Sequence, residues 1–134
     1  MILKDEAWKF AHEWIDAWHT RNIDQIMRHY ADSIEFCSPF VQKTIEDSGG
    51  ILCGFDNLRN YITINMKKVS TLNFQLLDVL ASPLSIVLYY KINHKLLAAE
   101  VMILNEEGKA IKVYVNYELF SQDKDLTFNE ISQS

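Results

Sequence analysis

Residues 86–104 read Ile-Val-Leu-Tyr-Tyr-Lys-Ile-Asn-His-Lys-Leu-Leu-Ala-Ala-Glu-Val-Met-Ile-Leu, two apolar runs on either side of a polar Asn93-His94-Lys95 break. A break of that length and composition joins antiparallel strands in a hairpin. Strand-like stretches extend the pattern over residues 72–81, 85–93, 96–105 and 110–121, with Ser82-Pro83 and Glu106-Glu107-Gly108 as the other connections. Four such runs predict an antiparallel meander. Residues 86–90 and 96–99 are apolar at successive positions, so both faces of the sheet need cover, where a half-exposed sheet would alternate.

Upstream, the spacing becomes helical. Leu3, Ala7, Phe10, Ala11, Trp14, Ala17 and Trp18 fall on one side of a helix, with His12, Asp16 and His19 toward the polar side. Thr20-Arg21-Asn22 breaks it and offers Asn22 as N-cap of a shorter second helix, whose stripe is Ile23, Ile26, Met27 and Tyr30 and which ends at Ala31-Asp32. Residues 33–38 form a short strand stopped by Pro39, with Phe36 and Ser38 on one face and Glu35 and Cys37 on the other. Residues 40–53, carrying Gly49-Gly50, read as a long loop with room for one helical turn, either a lid or a surface excursion. Gly54 introduces a third helix with Asp56 in its first turn and Phe55, Leu58, Tyr61, Ile62 and Met66 at helical spacing. The class is therefore α+β, three N-terminal helices and then a sheet, in one domain over residues 5–121 followed by a polar tail, 122–134.

The chain has 134 residues, 49 % of them apolar, which is enough for one core and too little for two. Three tryptophans, six tyrosines and seven phenylalanines supply the residues that line pockets and interfaces. The net charge of −5, without a Lys/Arg stripe, argues against nucleic acid as a partner. Cys37 and Cys53 match no zinc spacing and are too few for a disulfide framework. Their pairing stays open, and free thiols in a reducing cytoplasm are the simpler reading. Met1-Ile-Leu-Lys-Asp-Glu turns charged before a signal-peptide core forms, and no apolar run reaches the roughly 20 residues that cross a bilayer. A soluble cytoplasmic protein with no membrane partner is expected.

The segment Asn22-Ile-Asp-Gln-Ile-Met-Arg-His-Tyr-Ala-Asp32, followed by Phe36-Cys-Ser-Pro39-Phe40, resembles the nuclear transport factor 2-like superfamily. The resemblance continues in Gly54-Phe-Asp-Asn-Leu-Arg-Asn-Tyr61 and in the strands around Met102, Glu107-Gly108 and Tyr117, and covers about residues 5–120. It implies a cone-shaped α+β barrel, with the three helices packed on a curved, mostly antiparallel sheet around a hydrophobic pocket. The superfamily includes ketosteroid isomerases and SnoaL-like polyketide cyclases, so the fold alone says little of function. Position by position, the isomerase base corresponds to Ser38, its first-helix oxyanion tyrosine to Trp14 and its late-strand acid to Glu100. A supporting tyrosine is retained as Tyr30, and a pocket aromatic as Tyr117. Steroid isomerase chemistry is excluded, because a serine without an activating partner cannot abstract a carbon-bound proton at neutral pH.

Glu100 interrupts an apolar run that reads as a central strand. An ionised carboxylate there costs several kcal/mol unless paired, so it is hydrogen-bonded or protonated. Two placements stay open: an acid in the pocket, or a residue at a dimer face paired with Lys91 or Lys112. Trp14, Trp18, Tyr30, Phe36, Tyr61 and Tyr117 are the candidate pocket aromatics, against the plainer reading of core packing. Ser38 is a candidate polar pocket residue, with no histidine placed to activate it. Asp78 shares strand parity with Phe74 and Leu76 and is either a second inward carboxylate or a surface residue. His12, His19, His29 and His94 are scattered, make no metal-ligand pattern and are read as solvated. No metal and no organic cofactor are expected. The functional expectation is a SnoaL-like pocket protein for a small apolar or aromatic molecule. The alternatives are a cofactor-independent isomerase, cyclase or hydratase with Glu100 as catalytic acid/base, and a dimeric protein-interaction module. A homodimer through the outer sheet face covers the second apolar face.

Overall fold

Helix α1 (Lys4–Thr20) carries Asp5 and Glu6 in its first turn and His19 in its last, charges that suit the helix dipole, and buries Ala7, Ala11, Trp14, Ile15 and Ala17. The computed structural model describes residues 4–118, so the tail 122–134 and the end of the last strand run lie outside the described residues. Helix α2 (Ile23–Met27) starts at Asn22, whose side chain accepts from the Gln25 N–H. It ends before Tyr30, which belongs to β1 (Tyr30–Cys37) and not to the helical stripe. The reason is a strand partner that a helix-period reading does not include. Tyr30 pairs with Ala110, and the Ala110 N–H donates to the His29 carbonyl at 2.8 Å.

The stretch after β1 is more ordered than a loop. Ser38 caps helix α3 (Pro39–Thr44), with Pro39 in its first turn, and the chain then adds strand β2 (Ile51–Cys53) antiparallel to β1. Pro39 is compatible with a helix start as well as with a strand stop, so a fourth, short helix joins the three expected. Helix α4 (Phe55–Lys68) follows and buries Leu58, Tyr61, Ile62 and Met66. Its last carbonyls are held from afar: Arg21 donates its guanidinium to the Met66 and Val69 carbonyls.

Strands β3 (Phe74–Ala81), β4 (Ser85–Ile92), β5 (Leu96–Leu104) and β6 (Ala110–Tyr117) form the expected meander. The order across the sheet is β2-β1-β6-β5-β4-β3, and only the β1–β6 pairing is parallel. The sheet is curved but stays open, and does not close on itself as a barrel does. Every second residue of β5 from Leu96 to Leu104 is buried, which fixes the inner face. Asp78 is not on that face. An irregularity between Leu76 and Asp78 shifts the register, so Asp78 is exposed and bonds the Val79 N–H.

Gly50 is the tightest point of the α3–β2 connection. Its φ is +81°, its carbonyl accepts from the Ser38 N–H at 2.9 Å, and a Cβ there would meet the Ser38 carbonyl oxygen at 3.3 Å. Gly50→Ala is expected to destabilise the protein by about 1–2 kcal/mol, read as a lower urea midpoint at an unchanged slope.

Candidate functional site

The meander brings three inner-face residues into one row: Tyr90 on β4 pairs with Ala98 on β5, which pairs with Tyr117 on β6. In the next row Leu88, Glu100 and Val115 stand side by side. The small Ala98 side chain separates two tyrosine positions, and Glu100 reaches diagonally to one of them. The Tyr90 hydroxyl donates to Glu100 Oε1 at 2.8 Å. Glu100 is only 3 % exposed, and its second oxygen, Oε2, is buried without a hydrogen-bond partner among the described residues. No lysine among the described residues is paired with it. Lys112 instead lies 3.9 Å from Glu35 on the solvent side.

Helix α1 roofs this part of the sheet with Trp14, which is 1 % exposed. The Trp14 ring stacks on Phe74 with centroids 5.5 Å apart and meets Tyr90 at 5.3 Å. Its indole N–H donates to the Tyr30 hydroxyl at 3.2 Å, joining α1 to β1 through the core. Trp18 leans on Phe74 at 5.5 Å and keeps a buried N–H without a partner among the described residues. Phe36 and Tyr61 meet at 6.0 Å where α4 covers β1. At the other end, Ser38 accepts from the Phe40 N–H as a helix cap, and its hydroxyl is hydrogen-bonded to Tyr117, whose ring sits edge-on to Phe40.

Four phenols share the field of one carboxyl. Burial raises Tyr30, Tyr61, Tyr90 and Tyr117 above the usual tyrosine pKa, and the Glu100 charge adds to the shift at each. All four therefore stay O–H donors at any physiological pH. Glu100 itself is pushed up to about 7 by burial, which outweighs the lowering from the Tyr90 hydrogen bond. Near neutrality it is both a proton donor and a proton acceptor.

Tyr90 is the member of this cluster that the sequence reading passed over. Within residues 86–90 it counted only as bulk, although strand parity sets it on the face of Leu88 and, across the hairpin, of Glu100. His29 is less solvated than expected, and His19, exposed as expected, is nevertheless tied to the backbone. His19 Nε2 accepts from the Phe74 N–H at 3.0 Å, which fixes the start of β3 to α1. His29 is half-buried against Phe10, and that burial lowers its pKa while Glu13 opposes the shift. His29 lines an open groove of about 540 Å³ with Glu13, Asp16, Arg28 and Lys109, at a place apart from Glu100. Among the described residues no group of three or more His, Cys, Asp and Glu is arranged to hold a metal ion.

Helices on one face of an open, curved sheet, with aromatic side chains turned inward, define the nuclear transport factor 2-like class of fold. A SnoaL-like protein of unknown function from Burkholderia thailandensis superposes with a TM-score of 0.82 at 29 % identity, over 87 % of this chain and 97 % of that one. An NTF2-like protein from Anabaena variabilis gives 0.68 at 12 % identity, over 90 % and 95 % of the two chains. A protein named TerC, co-crystallized with polyporic acid, gives 0.67 at 10 % identity, over 84 % and 91 %. No family model matches the chain, and no curated protein does. The chain has the fold of the nuclear transport factor 2-like superfamily and is similar over most of its length to a SnoaL-like protein.

The Glu100 shift has a definite consequence for stability. Its pKa is raised on folding, from 4.5 to about 7, so the native state holds the proton more tightly than the unfolded chain. Stability from this group is complete below pH 4.5 and is lost as pH rises through about 7. The loss is on the order of 3 kcal/mol. Glu100→Gln keeps an acceptor for Tyr90 and removes the titration. Urea unfolding should show the variant about equal to wild type near pH 4.5 and more stable at pH 8.

Proposed function

We propose that this protein binds a small apolar or aromatic molecule bearing a polar oxygen, in an interior site between α1, α4 and the sheet, with Glu100 as the anchor. The observation that carries the reading is the buried carboxyl with one satisfied and one unsatisfied oxygen, set among Tyr30, Tyr61, Tyr90 and Tyr117. A core built only for stability gains nothing from such a group, since an apolar residue of similar volume packs there without a desolvation cost. Trp14, Phe36, Trp18 and Ser38 complete the expected lining, with rings for an apolar body and few polar tips to orient it. TerC, a protein of the same fold, was co-crystallized with polyporic acid, which supports the ligand class and no particular compound.

A carboxyl poised near neutrality also suits acid/base chemistry, and turnover of the bound molecule with Glu100 as catalyst is the second reading. No organic cofactor enters either version. Two free cysteines accord with a cytoplasmic setting, and no helix among the described residues is long and apolar enough to cross a membrane.

The outer sheet face supports a homodimer. Leu80, Val87, Val101, Tyr114, Cys37 and Ile51 stand in register as one row across all six strands, and Leu80 is 55 % and Tyr114 43 % exposed. Polar positions such as Lys112 and Asn116 flank the row, the pattern of an interface core with a rim. A second copy of this chain covers the row through a two-fold axis.

Two measurements check these proposals. In a thermal-shift screen of small aromatic compounds, a true guest raises the wild-type Tm and loses that effect in Glu100→Gln. Compounds that stabilise both proteins equally would refute the interior site. For the dimer, sedimentation at micromolar concentration should give about twice the 15.6 kDa chain mass, and Val101→Glu should return it to one chain. A monomeric wild type would refute it.

A further inference from the structure

The open groove of about 540 Å³ beside His29 lies outside the sheet interior and gathers charges that do not pair. It runs along two turns of α1, from Phe10 to Ala17, and is bounded by the end of α2 and by the turn between β5 and β6. Glu13 and Asp16 stand three residues apart on one face of α1 and line that side with acids. Arg28, just after α2, and Lys109, just before β6, bring the bases. Glu107, on the turn with Lys109, is a third acid. Phe10 and His29, ring edge to ring face at 5.0 Å, are the aromatic part of the lining. Among the described residues, none of these five charged side chains has an ion-pair or hydrogen-bond partner. Opposite charges thus line one groove without neutralising one another.

We propose that this groove is a second binding site, for a zwitterionic small molecule of the amino-acid class. Its ammonium lies toward Glu13 and Asp16, its carboxylate toward Arg28 and Lys109, and its side chain against Phe10 and His29. The charges select this class. A simple anion meets three acids and a simple cation meets two bases, whereas a molecule with both charges is repelled by neither side and uses both. Burial outweighs the nearby Glu13 and lowers the His29 pKa, so at neutral pH the imidazole offers a hydrogen bond and no third positive charge. The volume falls within the roughly 300–1,000 Å³ of small-molecule sites. The charged side chains are exposed, and exposed ion pairs contribute little each, so the affinity is weak, on the order of millimolar. This site does not depend on Glu100 and stands whether or not the interior holds a guest.

Phenylalanine, 2-phenylethylamine and 3-phenylpropionate test this, because they share a ring and a chain while the second and third each lack one charge. Binding is followed at neutral pH by NMR through the His29 ring C–H, assigned by its loss in His29→Asn. Phenylalanine should move that signal saturably, and each one-charge analogue should bind at least about threefold more weakly. Glu13→Gln, at an exposed position, should weaken phenylalanine without weakening 3-phenylpropionate. Arg28→Gln, likewise exposed, should weaken phenylalanine without weakening 2-phenylethylamine. In each variant the unweakened analogue shows that the groove is still formed. A His29 signal that phenylalanine does not move would overturn the proposal. So would an analogue that binds as tightly as phenylalanine, since the groove would then read one charge and not two.

Discussion

A carboxyl group held out of water on the inner face of β5 is the constraint around which the interior is arranged. Strand parity puts it there. Leu96, Ala98, Met102 and Leu104 are all buried on one face, and a slip of one residue would turn the whole set to solvent. Glu100 is carried inward by its neighbours, and the fold must accommodate the charge. Hydrogen bonding from Tyr90 reduces the cost, and retention of the proton near neutrality reduces it further. Neither device satisfies Oε2. What remains is a carboxyl oxygen without a partner among the described residues, with Trp14, Tyr30 and Tyr90 buried on the same side of the sheet.

The two faces of the sheet divide the work. Inside, alternate residues of β4, β5 and β6 pack against α1 and α4, with Trp14 tying α1 to Tyr30 on β1 and to Phe74 on β3. Outside, one apolar row crosses from Leu80 to Ile51. The parallel β1–β6 pairing makes that row continuous, because it sets Cys37 beside Tyr114. It also begins β1 at Tyr30 and so delivers that phenol to the interior. One long-range pairing therefore serves both faces.

Much of the architecture was legible in the sequence because its signals are local. Helical spacing located α1 and α4, and apolar runs with polar breaks located the meander, whereas Ser38, read as the end of the first strand, is the N-cap of α3. The differences arise where a distant partner decides. Tyr30 left the helical stripe because Ala110 offered a strand ladder, and residues 40–53 became α3 and β2 because β1 had a free edge and Gly50 allowed the turn. Asp78 turned outward at an irregularity that no alternation rule predicts. At the site, Glu100 stood out as a charge in an apolar run. Its partner Tyr90 did not, because a tyrosine in a strand is ordinary until the register shows what it faces.

The most direct test of the account is a pH titration of the glutamate side-chain carboxyl carbons by NMR, with Glu100→Gln to assign the resonance. The account predicts one carboxyl, missing in the variant, that titrates near pH 7 while exposed glutamates titrate in their ordinary acidic range. A Glu100 signal that titrates with the exposed group would mean that water reaches the carboxylate. The site would then be neither dry nor poised, and the account would be contradicted.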